Sequence, residues 1–246
     1  MSRNKILITG ASSGLGEGMA RSYAAQGHAL ALCARRVERL DKLKAELGGQ
    51  ASQIAVAGLD VTDVDTVPIV FGALREELGG LDRVIVNAGL GKGAPIGTGK
   101  AHANLQTVQT NLIGALAQVE AAMEIFRAQN SGHLVLISSM SAVHGLPRAQ
   151  AAYSASKAGL SALGEGLQAE LAGSPIKVSV ILPGYISTDI NAGVKTRMMT
   201  DLDSGVTALV AAIDSERDRT VVPRWPWTAI DLALRHLPAT ITRRMV

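Results

Sequence analysis

Sulfur and aromatic chemistry are scarce in this 246-residue chain, which holds one cysteine, two tryptophans, three tyrosines and two phenylalanines. A single thiol excludes an intramolecular disulfide. Cys33 lies in the apolar run Ala29-Leu30-Ala31-Leu32-Cys33-Ala34, where it reads as a small buried hydrophobe rather than a nucleophile. The chain is compatible with a reducing compartment. No stretch of about 18 apolar residues occurs, which argues against a spanning helix. Met1-Ser2-Arg3-Asn4-Lys5 runs straight into a strand-like stretch without the apolar segment of a signal peptide, so a cytoplasmic location is expected. Charge is sparse as well. Charged residues make up 18% of the chain, and 24 Lys and Arg against 21 Asp and Glu leave a net charge of +3. The basic residues are spread along the chain rather than gathered in a stripe, so no nucleic-acid partner is expected, and no metal site.

Apolar residues, by contrast, reach 47%, enough for one large core. They form short runs: Lys5 to Thr9, Ala29 to Ala34, Gln53 to Ala57, Arg83 to Val86, His133 to Ser138, Lys177 to Leu182 and Thr220 to Val222. Between them lie longer segments of helical periodicity, such as Gly14 to Gln26, Val37 to Leu47, Val64 to Leu78, Leu105 to Ala128 and Ala155 to Leu171. Strands alternating with helices of this length pair in parallel through right-handed crossovers. The expected fold is α/β, a Rossmann-type doubly wound parallel β-sheet flanked by helices. No Pro/Ser-rich linker, repeat or low-complexity tract divides the chain, so residues 1–246 read as a single domain. The glycine-rich stretch from Gly89 to Gly99 falls between a strand end and a long helix, where an open connection is expected. Open sheets of this kind bind ligands beyond the carboxyl ends of their strands, so the residues after each strand carry the most information.

The first strand is followed by Thr9-Gly10-Ala11-Ser12-Ser13-Gly14-Leu15-Gly16, a glycine-rich turn opening onto a helix. Glycine allows the tight turn and lets backbone N–H groups approach a pyrophosphate, whose charge the helix N-terminus favours. A dinucleotide site of the usual kind has an acidic residue about 20 positions on, at the ribose 2′-hydroxyl. Here the second strand ends instead in Ala34-Arg35-Arg36. Arginine suits a 2′-phosphate through planar, charge-assisted hydrogen bonds, which favours NADP(H) over NAD(H). The plainer alternative is a solvated helix start, continued by Arg39, Lys42 and Lys44.

Two further motifs follow, Asn87-Ala88-Gly89 after the fourth strand and Tyr153-x-x-x-Lys157 in Ala152-Tyr153-Ser154-Ala155-Ser156-Lys157-Ala158. With the glycine turn and in this order, they make the sequence resemble the short-chain dehydrogenase/reductase family from Ile6 to about Asp189. The resemblance implies a nicotinamide-dependent oxidoreductase. Tyr153 would exchange a proton with the substrate oxygen. An ordinary phenol, with a pKa of about 10, is a poor base near neutrality. Lys157, one turn on along the same face, would favour the phenolate and hydrogen-bond the nicotinamide ribose. The family also places a serine at the strand end before the tyrosine. In Ile137-Ser138-Ser139-Met140-Ser141 this selects Ser139, although the family spacing puts Met140 in that register. An extra loop residue within Pro147-Arg148-Ala149-Gln150 accounts for the difference, and Ser141 is the alternative. Asn111 matches the asparagine that interrupts a long helix and holds a water linking the lysine to solvent. Asp60-Val61 matches the pair that contacts adenine, although an aspartate opening a helix is equally a cap. Pro183-Gly184, with Ile186 and Thr188, matches the stretch that holds the nicotinamide carboxamide, and it could equally be an ordinary turn.

Residues 186–204 occupy the place of the family's substrate lid, with Met198 and Met199 either touching an apolar substrate or packing. His144 is expected in a loop bordering the cleft. Residues 223–246 depart from the family's common ending. There Pro223-Arg224-Trp225-Pro226-Trp227 precedes Ile230, Ala233, Leu234 and Leu237 on one helical face, with Arg235, Arg243 and Arg244 adding charge. This C-terminal extension can roof the pocket, pack on a second subunit or touch a membrane surface. The expected activity is that of an NADPH-dependent carbonyl reductase, reversible as an alcohol dehydrogenase, on a largely apolar ketone, aldehyde or secondary alcohol. The alternatives are a 3-oxoacyl thioester reductase, with Lys92, Lys100 and Arg148 as the basic candidates near the cleft, and a non-catalytic NADP(H)-binding sensor or scaffold. A homodimer or homotetramer is expected, with Leu105 to Ala128 and Ala155 to Leu171 as interface helices.

Overall fold

The computed structural model describes residues 3–91, 93–194, 196–237 and 241. Seven strands form one parallel sheet: β1 (Lys5–Thr9), β2 (Ala29–Ala34), β3 (Gln53–Gly58), β4 (Arg83–Val86), β5 (Gly132–Ile137), β6 (Ile176–Pro183) and β7 (Arg219–Val222). Their order is β3-β2-β1-β4-β5-β6-β7, so the winding reverses between β1 and β4. The helices are α1 (Gly14–Ala25), α2 (Val37–Leu47), α3 (Thr66–Leu78), α4 (Ala101–Val108), α5 (Gly114–Gln129), α6 (Ala151–Glu170), α7 (Leu202–Asp214) and α8 (Arg224–His236).

Alternation along the strands builds two cores, because successive side chains point to opposite faces of a sheet. Leu7, Leu134 and Leu136 join Phe71 of α3, Phe126 of α5 and Leu160 of α6 on one face. Ile6, Ile8, Val135 and Ile137 join Met19 of α1, Leu40 of α2 and Leu209 of α7 on the other. This is the expected doubly wound sheet.

Two helix boundaries differ from the periodicity reading. The segment expected as one helix from Leu105 is α4 and α5 joined by a π-helical turn over Gln109–Ile113. A wide turn of this sort adds one residue to a single turn, a phase shift too brief to end a helical periodicity that continues on both sides. Helix α6 begins at Ala151 rather than Ala155, which places Tyr153 inside it. Helix α7 starts where the Asp201 carboxylate accepts a hydrogen bond of 2.8 Å from Ser204 N–H.

At the amino ends of the strands, away from any ligand side, sits a buried polar network. Arg83 Nε donates to His133 Nδ1 at 2.9 Å, and Arg83 Nη1 reaches Asp214 at 2.6 Å. Since Nδ1 accepts, the imidazole is neutral with its proton on Nε2, facing Ser179 Oγ at 2.9 Å. Burial first, and the Arg83 charge second, push the His133 pKa down to about 3, with Glu216 opposing them and Arg3 adding to the depression. A histidine near 6.5 when unfolded binds protons more tightly in the unfolded chain. Its stabilising contribution is therefore complete above pH 6.5 and is lost as pH falls towards 3. Between pH 7 and pH 4.5 the loss should be roughly 2–3 kcal/mol. His28 is also depressed by burial and slopes the same way. Urea titrations should therefore show a shallower pH dependence for His133→Gln than for wild type, and equal slopes would rule this account out.

Candidate active site

The reversal between β1 and β4 opens a crevice, and the residues after both strands are bonded across it. The buried Thr9 Oγ1 accepts from Asn87 N–H and Ala88 N–H, each at 3.0 Å, while Asn87 Nδ2 donates to Thr9 O at 2.9 Å. Gly10 has φ +65° and Gly14 φ +56°, conformations that L side chains rarely adopt. At Gly16 a Cβ would stand 2.3 Å from Gly10 O, so helix α1 can start this close to the turn only without a side chain. Ser13 precedes α1 with no side-chain cap of its own. Its hydroxyl instead accepts from Arg36 Nη2 at 2.7 Å, and Ser12 Oγ accepts from the same guanidinium at 3.0 and 3.2 Å. Arg36 thus lies over the glycine turn, whereas Arg35 is exposed beside Asp60. Burial opposes ionisation of Asp60, but the Thr62 N–H, the Thr62 hydroxyl and the Arg35 charge together hold its carboxyl below the usual range. Asp60 Oδ1 accepts from Thr62 N at 3.0 Å and Thr62 Oγ1 at 2.8 Å, so the carboxylate caps its own turn.

A single cavity of about 1020 Å³ runs from this turn to the end of the sheet. Gly10, Ser12, Ser13, Gly14 and Leu15 line one end with Arg35, Arg36, Asp60 and Val61. Asn87, Ala88, Gly89, Ser139, Tyr153 and Lys157 line the middle, and Pro183, Gly184, Ile186 and Thr188 continue it. Gly16 and Asn111 stand behind this surface.

The three serines after β5 have separate partners. Ser138 Oγ donates to Lys157 O at 3.0 Å and lies 2.8 Å from Ser161 Oγ, which ties the strand end to α6. Ser139 Oγ accepts from Ser141 N–H at 3.1 Å, so its own proton remains free for its side-chain partner, Tyr153. Ser141 lines the cavity but reaches neither Tyr153 nor Lys157 by a hydrogen bond among the described residues. Of the three, Ser139 is the one that faces Tyr153. Within the stretch Pro147-Arg148-Ala149-Gln150, Arg148 has a φ of +61°, just before α6.

Burial pushes the Tyr153 phenol above its usual pKa, against the Ser139 hydrogen bond, with Tyr185 adding to the rise. Lys157 is 6% exposed and is pushed down to about 8 by burial alone. Its Nζ donates to Ile137 O at 2.8 Å. Asn111, on the π-helical turn, uses its amide elsewhere. Oδ1 accepts from Leu90 N–H at 2.7 Å, and Nδ2 donates to Leu90 O at 2.9 Å and Ser156 Oγ at 3.3 Å. It clamps the loop after β4 to α6. A Cβ at Gly89 would come 3.2 Å from Asn111 Oδ1 and 3.6 Å from Lys157 Nζ, so this glycine lets the loop pass close to both.

Beyond Gly184 the chain makes an excursion closed by pairing of Ile186 with Thr200. Met198 lines the cavity and Met199 does not, which separates the two methionines. Ile190 crosses to the loop after β4, where a Cβ on Gly91 would stand 2.5 Å from its Cγ2. His144 and Arg148 border the cavity, Lys100 is exposed away from it, and Lys92, Lys195, Arg243 and Arg244 lie outside the described residues.

Two aromatic residues at this end escaped the motif reading. Tyr185 directly follows Pro183-Gly184, and Trp227 opens the apolar face of α8 that Ile230 and Leu234 continue into the cavity. Their rings meet edge to face at 5.5 Å. Helix α8 is pinned to β7 by a bidentate Arg219–Asp231 pair at 2.8 and 2.7 Å. The doubled aromatic in Pro223-Arg224-Trp225-Pro226-Trp227, in a chain so poor in aromatics, was the available signal.

The model of the short chain dehydrogenase family matches residues 4–198. An uncharacterized oxidoreductase of Mycobacterium tuberculosis is 56% identical over 99% of this chain and 98% of its own length. A solved serine dehydrogenase in its closed form, complexed with NADP+, is 25% identical over 83% of this chain and 87% of its own, with a TM-score of 0.76. A short-chain dehydrogenase/reductase from Burkholderia phymatum, solved in complex with NAD, shares the fold at 22% identity over 99% and 97% of the two chains, with a TM-score of 0.85. With its reversed-winding parallel sheet and a family match across most of its length, this chain belongs to the short-chain dehydrogenase/reductase family of oxidoreductases.

Proposed function

We propose that the chain is an NADPH-dependent carbonyl reductase, reversible as an alcohol dehydrogenase, acting on a largely apolar ketone, aldehyde or secondary alcohol. The observation that carries this reading is the Ser139–Tyr153 pair on the cavity wall, with Lys157 one turn away, in a cavity that runs on to the Arg36-covered glycine turn. The residues present fit a dinucleotide. The Gly10 and Gly16 positions leave the close backbone approach that a pyrophosphate needs, with Ser12, Ser13, Gly14 and Leu15 beside it. Arg35 and Arg36 would hold the 2′-phosphate, Asp60 and Val61 the adenine, and Asn87, Ala88 and Gly89 the sugar side. Tyr153 and Lys157 would hold the nicotinamide ribose, and Pro183, Gly184, Ile186 and Thr188 the carboxamide. NADP(H), when bound, supplies or accepts the hydride.

The proton belongs to Tyr153. Because burial raises its pKa, the phenol is protonated at neutral pH and can donate to the substrate oxygen, which supports the reductive direction. Ser139, whose proton faces Tyr153, would turn it to that same oxygen when substrate is bound. Lys157, near 8, keeps most of its charge at pH 7, and that cation one turn away would favour the phenolate left when Tyr153 gives up its proton. Asn111 fixes the loop after β4, and the apolar wall of Ile230 and Leu234 excludes water.

Charge-assisted hydrogen bonds contribute roughly 1.5–3 kcal/mol, so Arg36→Ala should weaken NADPH binding about 10- to 100-fold and leave NADH nearly unchanged. Titration of both nucleotides into both proteins checks this. Equal affinities in wild type would remove the 2′-phosphate role.

A second reading, 3-oxoacyl thioester reduction, draws on Arg148 at the cavity wall as a partner for an anionic carrier. Turnover of a 3-oxoacyl thioester against simple ketones separates the two. A non-catalytic sensor has no chemical need for the Ser139–Tyr153 pair. Exposed Leu105 and Leu116 on α4 and α5 support the homodimer or homotetramer, and a cytoplasmic setting accords with the absence, among the described residues, of a helix long and apolar enough to cross a membrane.

A further inference from the structure

The substrate class can be narrowed, on the footing of the activity proposed above. Of the chain's three tyrosines and two tryptophans, Tyr153, Tyr185 and Trp227 line one end of one cavity. Tyr23 and both phenylalanines are fully buried in the cores, and Trp225 is 79% exposed. Three of the chain's five tyrosine and tryptophan rings therefore meet at the cavity, with Trp227 rooted in the core beneath it and Tyr185 packed against that core.

Its arrangement is held from behind. The Trp227 indole packs onto Gly184, where a Cβ would come 2.1 Å from Cε2, so only glycine admits the ring. Trp227 is 5% exposed and meets the part-exposed Tyr185 ring edge to face, with an interplanar angle of 65°. Asp231, one turn along α8, is locked to Arg219, so the helix cannot slide away from the ring it carries. Trp227 Nε1 makes no hydrogen bond among the described residues, so the indole is held by packing alone. Around the pair stand Leu146, Ile190, Met198, Ile230 and Leu234, and charge is confined to Arg148 and Asp189 at the margins.

We propose that Tyr185, backed by Trp227, forms a flat aromatic seat for a ring-bearing ketone or its alcohol, and that this pair sets substrate preference. Aromatic faces favour offset or edge contacts with another ring over contacts with a flexible chain, which also loses more rotational freedom on binding. Tyr185 touches the substrate. Trp227 is a positioning residue that acts through Tyr185.

The test uses ring-bearing and open-chain ketones of equal carbon number, with two readouts. The first is the ratio of kcat/KM values with NADPH. Wild type should favour the ring-bearing ketone at least tenfold, about 1.4 kcal/mol. Tyr185→Leu and Trp227→Leu should bring the ratio within about threefold of unity, chiefly through KM for the ring-bearing ketone. Trp227→Phe should keep the preference, since no indole hydrogen bond is lost. The second readout is binding without turnover, followed by the emission of Trp227 in a Trp225→Phe background, where it is the remaining tryptophan. Ring-bearing ketones should shift that emission saturably, at least tenfold below the concentration that open-chain ketones need. A ratio near one in wild type, or one unchanged by both leucine variants, overturns the proposal, as does equal binding of the two classes. Selective binding with no turnover by either nicotinamide would leave the aromatic seat standing and refute the reductase activity instead.

Discussion

Tyr153→Phe is expected to lower kcat roughly 100- to 10,000-fold, the usual contribution of a positioned general acid, while NADPH affinity falls by no more than about tenfold, the worth of one ribose hydrogen bond, and melting temperature stays near wild type. The expectation rests on what the substitution removes. Phenylalanine keeps the ring and its place on α6, and it deletes only the oxygen that hydrogen-bonds Ser139. Losing one such bond costs about 1 kcal/mol of stability, too little to unfold the chain. No other described hydroxyl stands in for it. Ser139 carries an alcohol proton, far less acidic than a phenol's, and Ser138 is turned away onto α6. The loss should fall on kcat and kcat/KM alike, because proton donation matters in the transition state and little in ground-state binding. Wild-type turnover by Tyr153→Phe would dismiss Tyr153 as the acid and shift attention to Tyr185, the other phenol at this end of the cavity.

The parts of this site that were legible in the sequence are those with local causes. Apolar runs marked every strand, since each lies buried between two helix layers and needs little beyond small and branched residues. The glycine turn, Arg36 and the Tyr153/Lys157 pair each stand out within a few residues, and the fold brings them to one cavity. What stayed hidden depends on contacts between distant segments. Nothing near Arg83 announces that it will meet Asp214, 131 residues away, with a neutral His133 between the network and β6. The choice among Ser138, Ser139 and Ser141 turned on which hydroxyl faces α6 and which faces Tyr153, a matter of strand-end geometry. Asn111 stood out only through the family resemblance, and its clamp on Leu90 depends on the π-helical turn, whose one-residue shift is too brief to read from apolar spacing. Trp227 reaches the cavity from beyond the family-matched residues, so a motif could point to everything around it and not to it.

Gly16→Ala should weaken NADPH binding about 100-fold, some 2.7 kcal/mol, although helix propensity on its own favours alanine by about 1 kcal/mol. The conflict is decided by what the new methyl would meet. Its position lies 2.3 Å from Gly10 O, 2.8 Å from Gly10 C and 2.7 Å from Asn87 Nδ2. The first two are backbone atoms of the turn itself, and the third is the amide that holds the turn against Thr9. The two backbone atoms cannot yield by rotation, and Asn87 can turn aside only by giving up its bond to Thr9 O, so α1 must move outwards or the turn must open. Either movement takes the backbone N–H groups of the turn out of register with the pyrophosphate they would hold. Gly18→Ala provides the contrast. A Cβ there would stand 2.4 Å from Val206 Cγ2, a side-chain methyl of α7 on the far side of α1. Overpacking typically costs 1–3 kcal/mol, so both variants should melt at lower temperature. Only Gly16→Ala should lose nucleotide affinity, because only there does the strain fall on the turn. If nucleotide titration gave the two variants the same affinity, the close approach at Gly16 would be a packing feature and no part of the binding site.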